Sequence, residues 1–104
     1  VTEWDTIARC QQRLRETTPL PADQHLMLRV VKIQEEAGEV ADAFLGMIGG
    51  TPRKGVCKTK QDLQAEVCDV IATAMVALYE LAGPDAERIF AAHIDGWGTP
   101  EGAR

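Results

Sequence analysis

Lys32-Ile33-Gln34-Glu35-Glu36-Ala37-Gly38-Glu39-Val40-Ala41-Asp42 sets a cluster of carboxylates inside an apolar-periodic segment. Leu26, Val30, Ile33, Ala37, Val40, Phe44 and Met47 recur at alternating steps of four and three, the signature of a helical seam and not of strand alternation. This predicts one long helix over residues 24–48. Lys32, Glu36, Glu39 and Ala43 form a strip along one flank of the seam, which puts the acidic side chains at the edge of the core. Gly38 is a poor helix residue, costing roughly 1 kcal/mol against Ala. A close approach of a ligand or of a second helix would account for it.

Outward from this helix, residues 49–60 contain Gly49, Gly50, Pro52 and Gly55 and read as a connection. The segment also holds Arg53, Lys54, Lys58 and Lys60, the densest basic patch in an acidic chain. Next comes a helix over 60–81, with Leu63, Val67, Val70, Ala74, Ala77, Leu78 and Leu81 as its seam and Glu66 and Asp69 on its flank. A short connection makes the two helices antiparallel neighbours. Glu36 and Glu39 precede the loop by about the distance at which Glu66 and Asp69 follow it, so at about 1.5 Å rise per residue the two pairs sit at similar heights.

The remaining segments are shorter. Residues 2–16 read as a helix with Thr2 as N-cap, acidic residues in the first turn, and Trp4, Ile7, Ala8 and Leu14 as its apolar stripe. Pro19 and Pro21 interrupt the helical pattern. Gly83-Pro84-Asp85 ends the third helix and opens a fourth over 85–94, and residues 96–104 lack periodicity and read as a loose tail. The expectation is an all-α, single-domain fold spanning 1–104, a small helical bundle.

Composition agrees. The chain has 104 residues, 45% hydrophobic and 26% charged, with only 5% aromatic, a balance that suits a soluble helical domain. Its net charge of −5 argues against binding a nucleic-acid backbone, which calls for a basic face. Three cysteines at unrelated spacings form neither a zinc pattern nor a disulfide framework, which points to the reducing cytoplasm. No apolar run approaches a membrane span.

Residues three or four apart on a helix share a face, so Glu36/Glu39 and Glu66/Asp69 each aim two carboxylates at one point. Bringing both pairs together demands a cation between them. A site of carboxylates without His or Cys selects a hard ion, Mg²⁺ foremost with Mn²⁺ as substitute. A spare carboxylate, Glu35 or Glu39, is placed to take a proton from water as general base. Lys32 is placed to meet a phosphate, or to pair along its own helix. The basic loop beside an acidic site suits a polyphosphate, with a plain solvated loop as the alternative.

Glu35-Glu36-x-x-Glu39 followed by Glu66-x-x-Asp69 resembles the EExxE…ExxD signature of the MazG-like all-α nucleoside triphosphate pyrophosphohydrolases, which include MazG, the dCTP pyrophosphatases and the dimeric dUTPases. Lys32 four residues before Glu36, the Glu-Ala-Gly-Glu-Val context and Asp-Val-Ile after Asp69 agree with it. The resemblance covers about half the chain, helices two and three. It implies a fold of the four-helix-bundle type, completed by oligomerisation as a homodimer or homotetramer, that cleaves an NTP or dNTP to a monophosphate and pyrophosphate, with nucleotide-pool house-cleaning as a role. Carried over by position, Glu36, Glu39, Glu66 and Asp69 are Mg²⁺ ligands, Glu35 an auxiliary ligand or base, and Lys32 a phosphate contact. Arg53 and Lys54 are assigned to the triphosphate tail on electrostatic grounds. His25 matches a histidine that related enzymes place near the nucleotide, with a plain helix-start histidine as the alternative. The family's additional basic residues after ExxD are missing, with Arg104 alone near the end. That departure opens a second reading, a weakly active or inactive relative that binds nucleotide or metal as a sensor or partner. Trp4 and Trp97 fit packing better than base stacking, and Cys68 reads as core filler.

Overall fold

The computed structural model describes residues 2–102; Arg104 lies outside them. The described residues form four α-helices without a strand: α1 (Glu3–Thr17), α2 (Ala22–Ile48), α3 (Lys60–Ala82) and α4 (Ala86–Asp95). Local chemistry sets most of their ends. Thr2 caps α1 reciprocally with Asp5: its side chain accepts from the Trp4 N–H at 3.1 Å, and its own N–H donates to Asp5 Oδ2 at 2.8 Å. Thr59 and Asp62 repeat the device at the start of α3, with bonds of 2.8 and 3.1 Å. Gly49, at φ 68°, closes α2 in the left-handed conformation that glycine adopts without penalty.

Helix α2 begins two residues before its expected start, because Pro21, fixed in φ, stands immediately outside the first turn and its carbonyl accepts the Gln24 N–H at 3.0 Å. The tail is also more regular than expected. Gly96–Gly98 and Pro100–Gly102 are 3₁₀ turns, and the Thr99 hydroxyl donates to the Gly96 carbonyl at 2.8 Å.

Helices α2 and α3 form the main packed pair, α1 lies along α3, and α4 returns against α3. Trp4 of α1 meets Phe90 of α4 with ring centroids 6.1 Å apart. The buried apolar core is small: Ile7, Ala43, Val76, Ala77 and Ala86. Here the structure departs from the sequence pattern. On α2 the buried strip runs through His25, Arg29 and Ala43, whereas Val30 and Phe44, members of the apolar seam, are 50% and 49% exposed. On α3, Val67, Ile71 and Leu81 are likewise exposed. The α2–α3 pair thus draws on the flanking strip for its own packing and leaves part of each seam bare, Val30 and Phe44 on α2 and Val67 and Leu81 on α3, while Ala77 of the α3 seam is buried. The dimensions reflect this: a radius of gyration of 16.5 Å and extents of 45 × 44 × 25 Å, where a compact chain of this length has about 13 Å.

Candidate metal centre

Glu36 and Glu39 lie one turn apart on α2, and Glu66 faces them from α3. One oxygen from each of the three carboxylates falls within 4.8 Å of the others. Trans oxygens around a six-coordinate Mg²⁺ or a Ca²⁺ ion are separated by roughly 4–5 Å, so the three oxygens are close enough to share one ion. Glu66 Oε2 is buried and has no hydrogen-bond partner. A buried carboxylate oxygen without a donor is costly. The donor set is all oxygen, and these residues fit a divalent cation.

The electrostatics point the same way. Burial, reinforced by the charges of Glu39, Asp69 and Glu35 and partly offset by Lys32, raises the Glu36 carboxyl above its ordinary value. Glu66 is raised by burial, then by the charge of Glu39 and by a hydrogen bond shared with it, with smaller contributions from Asp69 and Glu36. Both shifts come first from burial and then from the like charge of neighbouring carboxylates.

The other site residues expected from sequence are placed differently. Asp69 acts electrostatically on Glu36 and Glu66 but its oxygens are not among those that converge, and it stands at the exposed rim. Glu35 points away from the cluster and accepts from Lys32 Nζ at 3.0 Å. Lys32 is therefore engaged by Glu35 and not by Glu36. His25 is buried beside Glu80, whose carboxyl feels its charge. It sits eleven residues from Glu36, about 16 Å along the helix axis, too far to join the cluster.

Arg53 and Lys54 are exposed on the turn that follows α2, where the Lys54 and Gly55 N–H groups donate to the Thr51 carbonyl at 3.0 Å. The loop then folds back on α2: Cys57 and Lys58 donate to the Gly46 carbonyl at 2.9 and 3.3 Å. A Cβ on Gly46 would meet the Lys58 side chain, so glycine permits this approach. Lys54, Lys58 and Asp42 consequently share a small cavity of about 150 Å³, with Asp42 one turn beyond Glu39. Gly38 has open space around it, so no other helix of the described residues crosses closely there. Cys68 is exposed and is not core filler.

Two features escaped the sequence reading. One is the buried Arg29. The other is a polar clamp between α1 and α3, in which Gln11 Nε2 donates to Glu80 Oε1 at 2.9 Å and Arg15 Nη2 donates to Glu80 Oε2 at 2.6 Å. Extending the strip Lys32–Glu36–Glu39–Ala43 back by one and two turns would have reached Arg29 and His25.

Among known proteins, no family model, no curated protein and no solved structure matches the chain. Among the described residues, no helix is long and apolar enough to cross a membrane.

Proposed function

We propose that this chain is a Mg²⁺-dependent nucleoside triphosphate pyrophosphohydrolase of the MazG-like all-α type, releasing pyrophosphate from an NTP or dNTP. The observation that carries the reading is the convergence of Glu36, Glu39 and Glu66 from two antiparallel helices, with Glu66 Oε2 buried and unpartnered. In this reading Glu36, Glu39 and Glu66 hold the ion and Asp69 completes its surroundings from the rim. A bound divalent ion supplies neutralising charge for phosphoryl oxygens and lowers the pKa of a coordinated water.

The protein's own groups do the rest. Glu39, the most exposed of the three converging carboxylates, takes the proton of the attacking water. Glu35 fills that role only by releasing Lys32, which would then be free to meet a phosphate. Lys58, drawn against α2 through the Gly46 carbonyl, and Lys54, which shares a small cavity with it, offer cationic groups toward the C-terminal end of α2 for the departing pyrophosphate. The bundle is completed by further copies of the chain as a homodimer or homotetramer, which would cover the exposed apolar residues of α2 and α3. Three free thiols and a nucleotide substrate fit a cytoplasmic house-cleaning enzyme.

A second reading, a weakly active or inactive relative acting as a nucleotide or metal sensor, draws on the engagement of Glu35 by Lys32. Pyrophosphate release from a panel of NTPs and dNTPs, with Mg²⁺ and with EDTA, decides between them. The enzyme turns over at least one nucleotide only with metal, and Glu36→Gln and Glu66→Gln each abolish turnover. Nucleotide binding without pyrophosphate release supports the sensor, and indifference to every nucleotide overturns both.

A further inference from the structure

A cavity of about 370 Å³ lies between α1, α2 and α3, the size of a small-ligand pocket. Ile7, Leu14 and Val76 form its apolar walls. Glu36 of the acidic cluster stands at one end, and Arg29, two helical turns earlier on the same face of α2, stands at the other. Seven residues correspond to about 10 Å along the axis, the reach from a 5′-phosphate to the far edge of its base.

Arg29 is the unusual residue. It is only 8% exposed, yet its guanidinium makes no hydrogen bond or ion pair with any described residue, and Nε is shut away from solvent without a partner. An uncompensated buried cation is expensive to keep. With Nε occluded, the two terminal nitrogens are the donors left to serve the cavity. They present parallel N–H groups and no acceptor, and a guanidinium in this arrangement takes two adjacent acceptors.

We infer that Arg29 reads the base of the substrate nucleotide, favouring bases whose edge offers two adjacent acceptors: O2 and N3 of cytosine, or O6 and N7 of guanine. Thymine and uracil set an N–H donor between their carbonyls, and each adenine acceptor on the amino-bearing edge lies beside that amino group, so neither matches the fork. The apolar walls suit the faces of a base and poorly suit a phosphate, whose charge belongs with the metal and the lysines at the other end. This rests on the pyrophosphohydrolase reading and names its substrate class.

The test is calorimetric titration of α,β-methylene analogues of dCTP, dGTP, dATP and dTTP, with Mg²⁺, into wild type, Arg29→Gln and Arg29→Lys. In wild type the dCTP and dGTP analogues bind about ten- to a hundredfold more tightly than the other two. Arg29→Gln levels the four affinities. Arg29→Lys keeps the charge but not the paired donors and also loses the ordering. Circular dichroism and urea midpoints verify that both variants fold, and the midpoint of Arg29→Gln rises because an unpaired buried cation has been removed. Equal affinities in wild type, or an ordering that survives in Arg29→Gln, overturns the inference while leaving metal-dependent hydrolysis standing. Failure of all four analogues to bind removes the nucleotide reading and this inference with it.

Discussion

Ile71→Asp tests whether the exposed apolar residues of α2 and α3 belong to an interface. The isolated chain exposes 7387 Å², whereas a compact monomer of 11.3 kDa exposes about 5,700 Å². The difference, roughly 1,700 Å² per chain, corresponds to about 3,400 Å² buried in total when two copies meet, within the range of obligate homodimers. Ile71 is 55% exposed on α3, so the substitution is tolerated by the protomer and felt by the assembly. In a twofold dimer it introduces two carboxylates, each buried without a partner at about 3 kcal/mol or more. The dimer constant should therefore weaken by about four orders of magnitude. Sedimentation equilibrium at micromolar concentration should give wild type a multiple of 11.3 kDa and the variant a single chain. The wild-type urea midpoint should also rise with protein concentration. Wild type sedimenting as one chain throughout, with a midpoint independent of concentration, would refute the reasoning.

Glu66→Gln removes charge from a carboxylate whose Oε2 is buried without a partner; the metal-free variant should melt above metal-free wild type and lose the rise in melting temperature that Mg²⁺ gives wild type. No Mg²⁺-dependent rise in wild type would count against the metal site. The Glu80 carboxyl is held below its ordinary value by its hydrogen bond to Arg15 and, less strongly, by that to Gln11. Its contribution is therefore complete above the unfolded carboxylate pKa and lost as pH falls through the lower folded value. Glu80→Gln should cost about 1–3 kcal/mol at pH 7, with the gap to wild type narrowing as the pH falls below the ordinary carboxylate range, as urea midpoints at neutral and acid pH will show. Gly38→Ala meets no obstacle within the chain and should raise stability by about 0.5–1 kcal/mol; a fall in stability or in nucleotide affinity would reveal that a second copy or a ligand approaches the helix there.

Helix positions, the i, i+3 pairing of Glu36 with Glu39, and the cap at Thr2 were legible in the sequence because each depends on residues within one or two turns; the matching cap at Thr59 was equally local and went unread. Which strip of α2 would face α3 was not. An apolar stripe at helical spacing states that it must be covered, without stating whether its own chain or another covers it. Val30 and Phe44 read as core and stand exposed, while Ala43, His25 and Arg29 took the inner positions.

Within the acidic cluster the sequence named the right types at the right heights, and tertiary packing made the selection. Helix rotation turned Glu66 inward and left Asp69 at the rim, and Lys32 drew Glu35 aside. Sequence alone determined that carboxylates from two helices would meet, since spacing along a helix is fixed by its pitch. Only the tertiary structure decided which oxygens converge and where Arg29 is buried, because the rotation of one helix against another is set by the packing of side chains distant in sequence.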